Sequence, residues 1–206
     1  MTDSQAYLAY PELRSWYNKL WLSEKLGYYC GPASIAPQKS DWYIVRPLMN
    51  LSGMGVSASK VWIEAGENSK VPPGYFWCEW FPGNQYSVTY SWDGVWKPIS
   101  CWHGIKEDNN LSQFTKWVKS EYYPDIGHLY NSLSPVGTIN IEFIQDKPIE
   151  VHLRTSPDPE YNELVPVWKG YEFMIDNYSS LGYTYISSYE DAEGFLEVPR
   201  LGFLVK

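Results

Sequence analysis

The 206-residue chain lacks the features of several large protein classes. It has no run of about 18 apolar residues, the length that a membrane-spanning helix needs. Lys and Arg number only 16 against 24 Asp and Glu and form no basic stripe, which argues against a nucleic-acid-binding protein. The segment from Met1 to Arg14 has no basic stretch followed by an apolar core, so no secretory signal is expected. We therefore expect a cytoplasmic protein, in the host cytoplasm if the chain is viral, with neither nucleic acid nor membrane as a partner.

Cysteine and histidine are also scarce. Cys30, Cys78 and Cys101 form no C-x-x-C pair, which predicts three reduced, mostly buried thiols. None of the 3 histidines pairs with another at ligand spacing, so a zinc site built on histidines is not expected.

Aromatic residues, by contrast, are abundant. The chain holds 11 Trp, 18 Tyr and 7 Phe, which together make 17% of its residues. This richness is typical of stacking surfaces for bases or sugars, or of aromatic cores and strand faces. The scatter of these residues over the whole chain favours the second interpretation. An aromatic-lined carbohydrate-binding module remains a third hypothesis for the function.

The pattern of apolar and turn residues predicts an α+β chain in which hairpins dominate. Pro11 and Gly27 mark the ends of a helix over 11–26, and a second helix is expected over 110–122. Asp93-Gly94 is a strong hairpin signal within a β-meander over 74–105. Strands are expected over 42–47, 60–65, 75–81, 86–92, 95–102, 137–144, 148–154, 183–187, 195–198 and 201–205, with a short helix near 159–165.

The first segment that could carry chemistry is the glycine loop over 50–55. Gly53 and Gly55 follow a strand that ends near Arg46. Backbone amides of such a loop can approach an anion closely, and a neighbouring guanidinium suits a polyphosphate. An ordinary hairpin turn is the alternative.

The second segment is the hairpin over 137–154. Glu142 and Glu150 lie on strands expected to pair around a turn near Asp146, and Glu150, His152 and Arg154 share one face by parity. This polar face is typical of a solvated sheet, or of a site where two carboxylates bind Mg²⁺ ions that also contact ATP phosphates.

Taken in order, these segments resemble the ATP-grasp family over about residues 16 to 157. Ile44-Val45-Arg46-Pro47 resembles the family strand that ends in Lys-Pro, and Gly53-Met54-Gly55 resembles its glycine loop. The other matching segments are the first helix and its connection (Asn18-Lys19 towards Pro37), the hinge (Cys78 to Gln85), the strand pair after it (Ser87 to Tyr90, then Asp93-Gly94) and the metal hairpin (Ile141 to Arg154).

The resemblance implies an ATP-grasp-like α+β fold with two small lobes of antiparallel sheet and a nucleotide cleft between them. The lobes would cover about 11–75 and 76–206 of a single domain over 1–206. ATP and Mg²⁺ are the implied cofactors. The implied reaction is activation of a carboxylate as an acyl-phosphate, which an amine or related nucleophile then attacks.

The resemblance also implies roles for individual residues. Glu142, Glu150 and His152 would hold magnesium. Arg46 would contact phosphates, and Arg154 would face the transferred phosphate or the carboxylate substrate. The implied nucleotide-binding residues are Lys19, Arg46, Gly53, Gly55, Glu79, Trp80, Phe81 and Gln85. For Lys19, a position on the surface is the alternative. The family has Lys, Glu and Asn where this chain has Arg46, Gln85 and His152.

The chain begins almost at the first family helix, without the separate N-terminal domain that ATP-grasp ligases carry. It would be a minimal version, a pseudo-enzyme, or one part of an assembly in which a protein partner supplies the missing domain. We expect an ATP-dependent ligase for a small-molecule or peptide carboxylate. The alternative is a non-catalytic nucleotide-binding or protein-interaction protein on the same scaffold.

Overall fold

The structure, a computed structural model, describes residues 1–49, 51, 55, 57–106, 111, 113–187 and 199–206. In this part of the chain the α-helices are Asp3–Ala9 (α1), Lys19–Lys25 (α2) and Met174–Ser179 (α3), and the 3₁₀ helices are Pro11–Tyr17 and His128–Val136. The strands are Cys30–Pro32 (β1), Asp41–Pro47 (β2), Ser59–Ile63 (β3), Tyr75–Glu79 (β4), Gln85–Trp92 (β5), Trp96–Ile105 (β6), Lys116–Lys119 (β7), Thr138–Ile144 (β8), Lys147–His152 (β9), Glu163–Trp168 (β10), Thr184–Ser187 (β11) and Arg200–Val205 (β12).

The strands form two antiparallel sheets. The first has the order β1-β4-β2-β3, and the second has the order β11-β12-β10-β7-β6-β5-β8-β9. The predicted α+β class with antiparallel sheets is therefore confirmed. None of the helices that the structure describes has the length and hydrophobicity needed to cross a membrane.

The two strongest hairpin predictions are confirmed. Trp92 pairs with Trp96 across the turn that contains Asp93-Gly94, where the positive φ of 75° at Gly94 suits a glycine. In the second hairpin Ile144 pairs with Lys147, so that β8 and β9 are joined by a two-residue turn.

The helix predicted over 11–26 is interrupted at Asn18. Asn18 adopts an extended backbone (φ −83°, ψ 105°), and its side-chain oxygen accepts a hydrogen bond of 3.1 Å from the N–H of Trp21. This is the geometry of a helix N-cap, so the 3₁₀ helix ends and α2 begins anew. Gly27, at φ 73°, follows the end of α2 as predicted. The interruption sets the direction in which Lys19, the first residue of α2, projects.

The apolar core lies between the second sheet and these helices. Ile139, Ile141 and Phe143 of β8 are fully buried and share one face, because side chains alternate along a strand. The helices cover this face with Ala6, Trp16, Tyr17, Leu22, Tyr130 and Leu133. The alternate residue Glu142 therefore points to the opposite face of the sheet, towards the first sheet.

The helix predicted over 110–122 is wrong, because Lys116–Lys119 is strand β7. Phe114 and Trp117 have the spacing of a helical stripe, but their rings pack on each other with centroids 4.3 Å apart, over the bare backbone of Gly104. Pairing with β6 and β10 thus outweighs the helical periodicity of this segment and makes it a strand.

Two further expectations differ from the fold. The short helix near 159–165 is wrong, because β10 begins at Glu163 and pairs with β7 and β12. The run 75–81 does not join the meander, because β4 pairs with β1 and β2 of the first sheet. The predicted lobes, about 11–75 and 76–206, stay a prediction. The strand expected over 195–198 lies outside the described residues.

The cap at Asn18 gives a testable prediction. Asn18→Ala should lower the free energy of unfolding by about 0.5–2 kcal/mol, because an amide at the start of α2 loses its acceptor. Asn18→Asp, which keeps an oxygen at this position, should retain most of the stability. Urea titrations of the three proteins measure the difference. An alanine variant as stable as the parent would show that the cap does not hold α2.

Candidate functional site

A cleft opens between the two sheets. Its first wall includes Ile44 and Arg46 of β2 and Cys78 of β4. Its second wall is the polar face of β5, β8 and β9. The arrangement follows from the core, because a sheet that buries one face against helices leaves its alternate residues free to line a cavity.

Two carboxylates face each other on the second wall. Glu142 and Glu150 are direct partners in the β8–β9 register, with a bulge after Glu142. Nε2 of His152 lies 3.7 Å from Oε1 of Glu142 and 3.9 Å from Oε1 of Glu150. One ligand atom from each of these residues lies within 4.8 Å of the others. The pairing of the two acids predicted from the sequence is thus observed, together with the imidazole beside them.

A buried lysine offsets part of this negative charge. Nζ of Lys19 lies 2.8 Å from Oε2 of Glu150, and the side chains of Lys19 and Glu150 are only 6% and 10% exposed. Like charges directly opposite on a sheet are destabilising, so the acids need such a cation. The charges of Lys19, His152 and Arg46 hold the pKa of Glu150 below its usual value against the opposing effect of burial.

Asp3 binds the hairpin from the other end of the chain. Its Oδ2 lies 3.0 Å from Nδ1 of His152 and 2.5 Å from an Nη of Arg154, and Tyr17 donates to its Oδ1 at 3.3 Å. Burial alone would raise the pKa of Asp3, but these cations hold it well below its usual range. Burial alone would also lower the pKa of His152, but Asp3 and Glu142 raise it to about 10.

Arg46 lies where the two walls approach each other. The guanidinium donates a hydrogen bond of 3.1 Å to the carbonyl oxygen of Ile149 in β9 and lies 5.3 Å from the ring centre of Phe76. Arg46 is only 8% exposed, and its Nε finds no hydrogen-bond partner within the described part of the chain. A buried donor without an acceptor is costly, and an anion in the cleft would satisfy it.

Comparison with known proteins places this geometry in a fold family. No family model matches the sequence, and no curated protein matches it either. The solved ADP complex of PurK, an N5-carboxyaminoimidazole ribonucleotide synthetase, is similar in structure with a TM-score of 0.58 and 13% sequence identity, covering 94% of this chain and 68% of that one. An L-amino acid ligase from Bacillus licheniformis is similar with a TM-score of 0.50 and 13% identity, covering 71% of this chain and 42% of the ligase.

Both of these structures are ATP-grasp proteins. The chain has the ATP-grasp fold. At this identity the likeness establishes the fold alone, and the chain spans less than half of the ligase. The roles of individual residues rest on the geometry of this ATP-grasp cleft.

The ATP-grasp cleft brings together nearly every residue that the sequence singled out. Gly53 lies outside the described residues. The others all line the cleft: Lys19, Arg46, Gly55, Glu79, Trp80, Phe81, Gln85, Glu142, Glu150, His152 and Arg154.

Several of these side chains are already engaged within the protein. One Nη of Arg154 donates a hydrogen bond to Asp3, and the other donates to the carbonyl oxygen of Thr155. The carboxylate of Glu79 accepts from the backbone N–H of Tyr29 at 2.9 Å, so it fixes the end of β4.

Gln85 and Lys106 extend the polar network towards the mouth of the ATP-grasp cleft. The amide of Gln85 donates to Oε2 of Glu142 at 2.9 Å, and its oxygen accepts from Nζ of Lys106 at 3.4 Å. Burial lowers the pKa of Lys106. The sequence reasoning missed both Lys106 and Asp3. Neither lies in a recognisable motif, and Asp3 stands 149 positions before His152.

The contacts of Asp3 predict a pH-dependent loss of stability. Asp3→Asn should destabilise the metal-free protein at pH 7 by about 3–5 kcal/mol, because it leaves two buried cations without their carboxylate. The depressed pKa of Asp3 contributes stability that is complete above its unfolded value of about 3.9 and is lost as pH falls from there through the folded value. The raised pKa of His152 contributes stability that is complete below its unfolded value of about 6.5. The difference in free energy of unfolding between parent and variant should therefore not narrow between pH 7 and pH 5, and should narrow only below about pH 4.

Urea titrations between pH 7 and pH 3 measure that difference. Asp176→Asn is the matched control, since Asp176 also lies in the first turn of a short helix but is exposed. The control should change stability little at either pH. A difference between Asp3→Asn and the parent that does not narrow between pH 4 and pH 3 would contradict the assigned charge on Asp3.

Proposed function

We propose that the protein binds ATP with Mg²⁺ and joins a carboxylate to an amine or related nucleophile through an acyl-phosphate. One observation carries the proposal. Glu142, Glu150 and His152 converge within 4.8 Å in the same ATP-grasp cleft as the buried, partly unsatisfied guanidinium of Arg46. A site for divalent cations beside a site for anions is the arrangement that a magnesium–triphosphate complex requires.

The two carboxylates among the candidate ligands fit a magnesium ion. Mg²⁺ takes one or two carboxylates from the protein and completes its octahedron with water and phosphate oxygens, and Glu142 and Glu150 supply those carboxylates. Asp3 on Nδ1 would hold the ring of His152 in place once Nε2 releases its proton to an ion. Bound there, the ion would neutralise charge on the triphosphate. Imidazole suits zinc, copper, iron or nickel better than magnesium, so His152 widens the choice of metal.

The nucleotide would lie across the cleft from the hairpin to the β4–β5 segment. Arg46 would hold phosphate oxygens with the donors that it does not give to Ile149. Gly55 lies in the same wall and offers a backbone without a side chain. Glu79, Trp80 and Phe81 would border the adenine, which matches the flat apolar surface of a base. Gln85, already oriented by Glu142, would meet the ribose side of the ligand.

The chemical step would be phosphoryl transfer to a carboxylate oxygen. The bond between the γ-phosphorus and the bridging oxygen breaks, ADP leaves, and the acyl-phosphate forms. The nucleophile then attacks the acyl carbon and releases phosphate. Within the described part of the chain, Arg46 and Arg154 both have a buried Nε without a hydrogen-bond partner, and Arg46, which gives a hydrogen bond only to Ile149, would stabilise the charge in transfer. Arg154, held by Asp3, would keep the acceptor side of the cleft positive.

A second candidate function is nucleotide binding without turnover. One observation favours it: Lys19 and His152 already lie against the carboxylates that would hold the metal. In this case the cations of the protein would serve the hairpin in place of magnesium. A requirement for Mg²⁺ in binding, followed by release of phosphate, separates the two functions.

A thermal-shift experiment tests the nucleotide and metal site. MgATP at 100 times its dissociation constant should add about 2.7 kcal/mol to the free energy of unfolding. The melting temperature should rise by about 2–4 °C for each kcal/mol in a chain of this length. Glu142→Gln should remove most of the shift, because it takes a charge from the metal site. The substitution keeps an oxygen for the amide of Gln85, so the fold should survive it. Glu150→Gln is less suitable, because it would strand buried Lys19.

Asp146→Asn is the matched control, because Asp146 is an exposed acid at the turn of the same hairpin. Its shift with MgATP should equal that of the parent, and ATP without Mg²⁺ should give little shift in any variant. If Glu142→Gln responds to MgATP as strongly as the parent, the assignment of the metal site fails.

Turnover gives a separate prediction. The parent should release phosphate from MgATP only when carboxylic acids are supplied, and hydroxylamine should trap the acyl-phosphate as a hydroxamate detectable by mass. Arg46→Met should reduce the release of phosphate by about 100-fold or more, since one preorganised donor to a transition-state charge contributes about that much. Saturable MgATP binding without phosphate from any acid would instead support the second candidate function.

A further inference from the structure

Two of the three cysteines lie opposite each other in the first sheet. Cys30 of β1 and Cys78 of β4 are direct partners in the antiparallel register. The next pair, Tyr29 and Glu79, is joined by a hydrogen bond from the N–H of Glu79 to the carbonyl oxygen of Tyr29. Because bonded and non-bonded pairs alternate along such a ladder, Cys30 and Cys78 form a non-hydrogen-bonded pair, in which side chains approach most closely.

This position has the geometry that a disulfide requires. The Cα atoms of a non-hydrogen-bonded pair are about 4.5 Å apart, and disulfides span Cα separations of about 4.4–6.8 Å. Side chains of paired residues also point to the same face of the sheet. Both thiols are free, and they interact closely enough for each to shift the pKa of the other.

The surroundings make Cys78 the reactive partner. Cys78 is only 1% exposed, but it lines the cleft beside Ile44 and Arg46, so a small oxidant in the cleft would meet it there; Cys30, its partner, is half-buried. Hydrogen bonding from Cys30 and the positive charge of Arg46 lower the pKa of Cys78, against the effect of burial. The same hydrogen bond raises the pKa of Cys30. A thiol of lowered pKa beside a cation, with a second thiol opposite it, is typical of a cysteine that reacts with peroxide.

We propose that Cys30 and Cys78 form a reversible disulfide when a hydroperoxide enters the cleft. The sulfur of Cys78 attacks one peroxide oxygen, the O–O bond breaks, and water leaves from hydrogen peroxide as Cys78 becomes a sulfenic acid. The sulfur of Cys30 then attacks the sulfur of Cys78, the S–O bond breaks, and a second water leaves. In sum, two thiols give two electrons and two protons to one hydrogen peroxide.

The disulfide would change the wall of the cleft. The hydroxyl of Ser23 in α2, the helix that carries Lys19, interacts with the thiol of Cys78 and helps to lower its pKa. A bond to Cys30 removes the thiol from this contact and from the side chain of Arg46. The coupling to ligand rests on the proposed function: a nucleotide held by Arg46 would cover Cys78, and so should slow its oxidation.

Peptide mapping after treatment with hydrogen peroxide tests the disulfide. The reduced protein should lose two hydrogen atoms in mass, and a peptide that joins Cys30 to Cys78 should appear without reductant and vanish with dithiothreitol. Cys30→Ser should instead stop at a sulfenic acid on Cys78, which dimedone traps. Cys101→Ser is the matched control, because Cys101 lies opposite Val88 in the second sheet, away from the Cys30–Cys78 pair, and this variant should form the same linked peptide.

The outcomes separate the two proposals. Absence of the Cys30–Cys78 peptide in the parent at peroxide concentrations that oxidise methionine would overturn the disulfide, as would an equal yield of links to Cys101. With the peptide present, at least a threefold slower formation in saturating MgATP supports the coupling. An unchanged rate, in a sample where MgATP raises the melting temperature, overturns the coupling alone. A disulfide in a protein that MgATP does not stabilise leaves the redox pair intact and contradicts the proposed function.

Discussion

The structure depends on compensation of negative charge inside one hairpin. Glu142 and Glu150 face each other across β8 and β9, and burial of two carboxylates at this distance is unfavourable unless cations accompany them. The protein supplies these cations from separate parts of the chain. Lys19 comes from the start of α2, and His152 comes from the hairpin and is itself held by Asp3. The N-terminal helices are therefore part of the site as well as cover for the core.

This charge balance explains how the two acids of the candidate site stay in register without a bound ligand. Without cations, the two carboxylates of the metal-free cleft would repel each other, whereas Lys19 and His152 keep them in register. The same cations hold the positions that a divalent ion and its phosphate ligands would share. Binding of a magnesium–nucleotide complex would then be an exchange of partners in a preformed site, which costs less reorganisation than building the site around the ligand.

The sequence predicted the hairpins and their polar face, because period-two alternation and turn residues act locally. Parity alone placed Glu150 and His152 together, and the turn near Asp146 fixed the partner of Glu142. Local signals failed where tertiary pairing decides the structure. Phe114 and Trp117 have helical spacing yet belong to the strand β7 and its approach, since two neighbouring strands offer hydrogen bonds there. Asp3 could not be found because its partners are remote and its own neighbours resemble an ordinary helix start.

The contact between Asp3 and His152 also has a consequence during synthesis. The two residues are 149 positions apart, so the carboxylate leaves the ribosome long before the imidazole that it binds. At about 5–20 residues per second, this interval is about 7–30 s, far longer than an isolated helix takes to form. Through that time α1 has neither its ion pair nor the sheet face on which it packs. The nascent α1 segment must therefore wait without its native partners until the hairpin has been made.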